Sequence, residues 1–241
     1  MLSEVTLIIK TFERPAHLRR LVESIRKYYP DIYIIIADDS EKHDPIRNTE
    51  YHVLPFDTGL SAGRNFLVSM VRTKYFILLD DDFYFTEETK IENFLWVMEE
   101  SDLDMLGGMV KEGNELWNHF GSFDIKGRDV FYTDEVLDCG EYKLADIILN
   151  FFIGRTESFI DIKWDDHLKT TEHFDFFYNL KGKKKVGYFD GVTIGHYRDS
   201  LNTSLKYKEM RARREQYFRY ILKKNGIDKL VSFTETISID K

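Results

Sequence analysis

The segment Tyr75-Phe76-Ile77-Leu78-Leu79-Asp80-Asp81-Asp82 decides how this chain is read. Its apolar run has the length and composition of a strand buried on both faces, as in a parallel sheet covered by helices. Three carboxylates follow at once. Adjacent acids repel one another unless a cation compensates them, and in extended geometry Asp80 and Asp82 point to the same side because side chains alternate with period two. Hard oxygen ligands paired in this way suit Mg²⁺ or Mn²⁺ that shares its remaining positions with phosphate oxygens. The plainer alternative is a solvated turn whose acids cap the next helix.

The same pattern recurs upstream. Ile32–Ala37 is an isoleucine-rich run that ends in Asp38-Asp39-Ser40, and Val5–Lys10 is a further apolar run. Pro15 is placed to open a helix in which Leu18, Leu21, Val22 and Ile25 form one buried stripe. A short strand at Tyr51–Leu54, a helix from about Ser61, a helix near Thr86–Glu99 opening on Glu87 and Glu88, and a strand at Met105–Val110 continue the alternation. Such alternation predicts an α/β/α sandwich with a mostly parallel central sheet, whose ligand sites lie at the carboxyl ends of the strands.

The second half is less regular. Trp117–Phe123 and Val130–Tyr132 flank Lys126-Gly127-Arg128 as a hairpin, and a strand is expected near Ile147–Ile153. A helix near Thr171–Leu180, a strand pair around Lys185–His196 and one long basic helix, roughly Tyr207–Lys224, complete the reading. Asn225-Gly226 is a good terminator for that helix.

With 241 residues, 43% of them hydrophobic, the chain has material for one continuous domain. Within it we expect a nucleotide-binding half over about 1–110, an acceptor and catalytic half over about 111–205, and a basic helix over about 206–226. A formal charge of −8 gives no global reason to bind nucleic acid or an anionic membrane. The single Cys139 rules out an internal disulfide framework and fits a reducing compartment. The apolar run Val5–Ile9 is far too short to span a bilayer, so a complete chain of this kind is expected in the cytoplasm, at most peripheral to a membrane. An anchor in a longer product would not be visible.

Four motifs now stand in order: Thr11-Phe12-Glu13-Arg14-Pro15, Ala37-Asp38-Asp39-Ser40, Gly59-Leu60-Ser61-Ala62-Gly63-Arg64-Asn65 and Leu79-Asp80-Asp81-Asp82. Together they resemble the family-2-like glycosyltransferases of GT-A fold, over residues 4 to about 200. Asn150-Phe151-Phe152 adds a resemblance to the ganglioside-type β-1,4-N-acetylgalactosaminyltransferases. The resemblance implies inverting, metal-dependent transfer of a sugar from a UDP-sugar to a hydroxyl of a glycan, glycolipid or glycoprotein acceptor. It implies that Thr11 and Arg14 sit beside the nucleotide and that Asp39, or alternatively Asp38, accepts from the uracil. Arg64 would lie against the nucleotide or diphosphate. Asp80 would touch the ribose or a metal-bound water, and Asp82 of this DXD motif would bind Mn²⁺ or Mg²⁺ directly.

His196, in Ile194-Gly195-His196-Tyr197, stands where the resemblance implies a further metal ligand, although a lone histidine is more often structural. Inverting transfer needs a base near the acceptor hydroxyl. The family carries it in a Glu-Asp pair opening a helix, whereas Thr171-Glu172-His173-Phe174-Asp175 has histidine second. The ganglioside-type enzymes resemble this sequence in that departure, with His173 and the Asp175 acid in matching places, so the resemblance implies Asp175 as the base, then Glu172; the plain reading of Asp175 is a solvated or capping residue. Among Lys206, Lys208, Arg211, Arg213 and Arg214, one or two side chains would close over the phosphates. Two rival readings remain. One is a non-catalytic sugar-nucleotide or glycan-binding domain. The other is a sugar nucleotidylyltransferase, which lacks support because Thr11–Pro15 is no phosphate loop.

Overall fold

A computed structural model describes residues 2–117, 120–197 and 204–238. In chain order the first half forms β1 (Val5–Thr11), α1 (Pro15–Tyr28), β2 (Tyr33–Asp38), β3 (Glu50–Val53), α2 (Leu60–Met70), β4 (Tyr75–Asp80), β5 (Phe83–Tyr84), α3 (Ile91–Glu100) and β6 (Met105–Glu112). The second half adds β7 (Glu115–Trp117), β8 (Ser122–Lys126), β9 (Asp129–Thr133), β10 (Leu137–Asp138), β11 (Lys143–Ala145), β12 (Phe152–Arg155) and α4 (Glu172–Leu180). It closes with β13 (Val186–His196), α5 (Leu205–Ala212), α6 (Arg214–Asn225), β14 (Lys229–Val231) and β15 (Thr236–Ser238).

The main sheet runs β10-β11-β13-β6-β12-β4-β1-β2-β3, with β5 on β13 and β7 on β6. Strands β3, β2, β1 and β4 are mutually parallel, and β6 is parallel to β13. Every residue of β1 is buried, and β2 and β4 are nearly so, which is what strands covered on both faces require. One core lies against α1 and α3 through Leu18, Leu21, Ile25, Phe94 and Met98; the other lies against α2, α4 and α6 through Leu67, Phe177, Ile221 and Leu222. A second sheet, β15-β14-β9-β8, forms from sequence-distant pieces. No helix among the described residues is long and apolar enough to cross a membrane.

Several expectations change. The strand expected from Ile147 begins only at Phe152, and it enters antiparallel between β4 and β6. The expected strand pair around Lys185–His196 is one strand with an irregularity between Tyr188 and Thr193. Glu87 and Glu88 precede α3, which begins at Ile91, so they do not sit in its first turn. The long basic helix is two helices that break at Arg213, whose side chain is tied to Asp57 (2.8 Å). Gly226, at φ 66°, ends α6 in the left-handed conformation that favours glycine.

Candidate active site

The carboxyl ends of β1, β2 and β4 open into a cleft of about 490 Å³. Strand register sets its floor: Thr11 pairs with Asp38, and Lys10 with Asp80, across parallel ladders. Asp80, Asp81 and Asp82 all line the cleft. Their mutual repulsion is met by guanidinium groups. Arg14 donates to Asp82 Oδ2 (2.9 Å) and, more closely, to Asp81; Arg64 donates to Asp80 Oδ1 (2.8 Å). Thr11 Oγ1 donates to Asp81 Oδ2 (2.7 Å). Thr11, Arg14, Asp80, Asp81 and Asp82 thus meet at one end of the cleft.

Ladder pairing also delivers His196. It lies opposite Phe83 where β13 meets β5, and the Tyr197 amide donates to the Asp82 carbonyl (2.9 Å). His196 Nε2 consequently faces Asp82 Oδ2 at 3.5 Å, while Nδ1 contacts Glu112 Oε2 at 2.8 Å. A carboxylate behind an imidazole fixes its tautomer and aims its other nitrogen, as outer carboxylates do for metal-binding histidines. Burial alone would lower the His196 pKa, but Asp82 and Glu112 outweigh it and raise it. Asp82 is desolvated too, yet His196 and Arg14 hold its carboxyl well below the usual range. Desolvation pushes Asp80 up, against the pull of Arg64, with the charges of Asp82 and Glu172 adding to the rise.

These donors fit a hard divalent cation. Asp82 and His196 could supply mixed oxygen and nitrogen ligands within one small space, with Glu112 orienting the imidazole. Among the described residues no three carboxylate, imidazole or thiol groups converge as a complete cage, so an ion held there would take its remaining ligands from diphosphate oxygens and water. Asp80 is directed elsewhere, toward Arg64 and Asn150.

Other expected residues land differently. Asp39 lines the cleft, but its Oδ1 receives the buried Lys10 ammonium and its Oδ2 the Gly59 amide (2.7 Å). Asp38 does not line it; its oxygens accept from the Ser40 amide (2.8 Å) and the Tyr51 hydroxyl, which stabilises the turn after β2. Arg64 does not line the cleft. It sits on the inward face of α2, fully buried, and bridges Asp80 to Glu172 Oε1 (2.5 Å). The glycines of that motif serve packing: Gly59 at φ 96° caps α2 where a Cβ would meet Lys169 at 2.6 Å, and at Gly63 a Cβ would strike the Lys10 side chain.

Asp175 is the main correction. It lies outside the cleft, buried beneath α6, where it accepts from Lys224 Nζ (2.8 Å), Asn225 Nδ2 (2.8 Å) and Asn179 Nδ2 (3.2 Å). Glu172 does line the cleft, locked against Arg64. Of the basic residues, Lys206 is paired with Glu41, Arg213 with Asp57 and Arg214 with Glu235; Arg211 lines the cleft.

The sequence reading gave no role to Lys10, Asp57, Lys169, Trp117 or Tyr207, all of which line the site. Lys10 carried a signal, a charge inside an apolar strand. Burial lowers its pKa against the opposing pull of Asp39. Tyr207 lies under the Arg14 guanidinium at 4.6 Å, and the Trp117 ring stands 4.7 Å from His196. Asp57 gathers Lys169 (3.0 Å) and Arg213 (2.8 Å) from distant parts of the chain.

Comparison with known proteins shows the family and the fold. The family described as glycosyl transferase family 2 matches residues 6–163, more than half of the chain. The mouse protein named beta-1,4 N-acetylgalactosaminyltransferase 2 is 36% identical over 239 residues, covering 92% of this chain and 44% of that one. The human beta-1,4 N-acetylgalactosaminyltransferase 1 is 33% identical over 230 residues, covering 90% and 42%. The chain therefore spans less than half the length of these relatives. A structure of GalNAc-T7 with UDP, GalNAc and Mn²⁺ superposes with a TM-score of 0.63 at 15% identity, covering 91% of this chain and 48% of that one. One of S. aureus TarS 1–349 in complex with UDP-GlcNAc gives 0.59 at 14%, covering 92% and 71%. Both share the fold.

Proposed function

Since the chain belongs to glycosyl transferase family 2, we propose that it transfers a hexosyl or N-acetylhexosaminyl group from a UDP-sugar to an acceptor hydroxyl, with inversion. The observation that carries this reading is the meeting of Asp82 and the Glu112-backed His196 at the end of β4, in a cleft that also holds Lys10, Arg14, Lys169 and Arg211. Acids for a cation and cations for a diphosphate stand side by side there. We assign the nucleoside to the Thr11, Phe12 and Asp39 end, with Asp39 accepting from the uracil, since a carboxylate retains lone pairs beyond those given to Lys10 and Gly59. Asp80 is assigned to the ribose and Arg211 to the diphosphate, since both line the cleft.

Asp82 and His196 would hold Mn²⁺ or Mg²⁺. Bound there, the ion would supply Lewis-acid neutralisation of the leaving diphosphate. Arg14 already shares Asp82, so it would shift toward the phosphates and help carry the charge released on them. The names of the mouse and human relatives favour UDP-N-acetylgalactosamine among the donors, and an acceptor that is a glycan, free or carried on lipid or protein.

Calorimetric titration of UDP in Mn²⁺ and in chelator tests the donor half of this reading. UDP is expected to bind more tightly with metal, and Asp82→Ala to remove the difference. Equal affinity in both buffers would remove the metal from the account. A second reading, a domain that binds sugar nucleotides without turnover, draws on the commitment of both expected base carboxylates to buried ion pairs. It requires UDP binding with no UDP release from any donor and acceptor, which a release assay decides.

A further inference from the structure

Lys10 is a charge at the end of an apolar strand, and its surroundings are built around it. In β1 it stands between Ala37 of β2 and Asp80 of β4. Its stem runs across Gly63 of α2, where any Cβ would take the space of the lysine Cδ and Cε. The ammonium is thereby delivered to the wall of the cleft, although the side chain is only 3% exposed. Arg14 and Lys169, which line the same cleft, are more open at 11% and 33%. Lys10 is thus the cation of these three with the least water to satisfy it.

An ammonium carries three N–H donors. Lys10 Nζ gives one to the Thr11 carbonyl (2.7 Å) and one to Asp39 Oδ1, and among the described residues nothing accepts the third. A buried donor without an acceptor is costly, and a ligand that supplies the acceptor recovers that cost on binding. Asp39 is fixed beside it, since its Oδ2 holds the Gly59 amide (2.7 Å). A donor and an acceptor therefore stand side by side. Phe12 completes the corner. Its ring lines the cleft with its centroid 6.0 Å from Nζ, and it offers a face on which a planar base can stack. The edge of uracil presents an N–H flanked by two carbonyls, which complements this pair: the N–H meets the carboxylate and one carbonyl meets the ammonium.

Resting on the UDP-sugar reading, we propose that Lys10 is a specificity-determining residue of the nucleotide site, whose third N–H donates to the uracil carbonyl next to the N3–H that Asp39 accepts. Contact with the phosphates then falls to Arg14, Lys169 and Arg211. Reading of a carbonyl accounts both for a lysine in an otherwise apolar run and for the glycine in α2 that makes room for its stem.

Rejection of CDP would not separate Lys10 from Asp39, because cytosine changes the groups that face both. The test therefore titrates the whole chain, with Mn²⁺ present, against UDP, 2-thio-UDP and 4-thio-UDP in a calorimeter. Sulfur is a weaker acceptor than oxygen and replaces one carbonyl oxygen at a time. The wild-type protein is expected to bind one thio analogue about tenfold more weakly than UDP. Lys10→Met is expected to bind UDP about tenfold more weakly and all three ligands alike. Lys10→Gln keeps an N–H for Asp39 and supplies the same comparison where the methionine variant does not fold; it is expected to narrow the preference. Equal affinity of the wild-type protein for all three ligands overturns the proposal. So does a folded variant that keeps the wild-type preference, the result expected if Lys10 served the phosphates. A wild-type protein that binds none of the three overturns the UDP-sugar reading itself, whereas binding of all three without preference leaves that reading and removes only the role of Lys10.

Discussion

At the scale of single residues, Glu112 does most to separate His196 from an ordinary histidine. It lies at the end of β6, reaches Nδ1 at 2.8 Å, and thereby turns Nε2 toward Asp82. Replacing Glu112 by Gln is expected to weaken the Mn²⁺ dependence of UDP binding by about 10–100-fold, read by titrating metal at fixed UDP; an unchanged dependence would leave Glu112 a purely structural partner. Lys10 and Asp39 form a buried pair, so Lys10→Met strands a carboxylate. Urea unfolding should register a loss of about 3–5 kcal/mol, and a change within error would mean that the Asp39 carboxylate is accommodated without the ammonium. The acidic triad stood out because the strand before it changes abruptly from apolar to acidic residues, whereas His196 was marked only by the family resemblance. The inward turn of Arg64 was not, since the Gly59–Asn65 motif says nothing about which side of α2 meets the sheet.

Among the elements, strands β1, β2 and β4 were readable from their apolar runs, whereas α4 was not. Its Glu172, Phe174, Asp175, Phe176, Phe177 and Leu180 are all buried. A helix buried nearly all round has no polar face to orient it, so the sequence could not tell that Asp175 meets α6 and His173 the cleft. The break between α5 and α6 carries no proline or glycine signal either. It coincides with Arg213 reaching Asp57, which also holds Lys169 just ahead of α4. Burial would raise the Asp57 pKa, but its bonds to Arg213 and Lys169 prevail and hold it below its ordinary 3.8. The unfolded chain thus binds the proton first as pH falls, so the stabilisation is complete above about pH 4 and disappears as acid titrates the folded carboxylate. Asp57→Asn should cost about 1–3 kcal/mol at neutral pH and less in acid. Parallel pH–stability curves for the two proteins would show that the triad contributes nothing through charge.

For the whole molecule, the site joins distant parts of the chain, and α5 is the least anchored of them. It contains no buried side chain, yet Tyr207 and Arg211 line the cleft from it. Few buried contacts imply a low free energy of local opening. Amides of 205–212 should exchange with deuterium well before those of β1 and β4, and should slow when UDP and Mn²⁺ are added. Exchange in α5 that ignores UDP would place the helix outside the nucleotide site.

The antiparallel entry of β12 has a consequence for how the protein is made. Strand β4, which ends in the acidic triad, is paired on one side by β1 and on the other only by β12. Strand β6 likewise reaches the sheet centre through β12. While the chain leaves the ribosome, the strand that leads into the acidic triad must wait with one naked edge until residues 152–155 emerge. An exposed, flat, apolar edge is a template for pairing with other chains. A nascent chain stalled at Glu112, or a fragment cut there, should therefore recruit its own copies and sediment as aggregate, and only a chain extended past Arg155 should stay monodisperse.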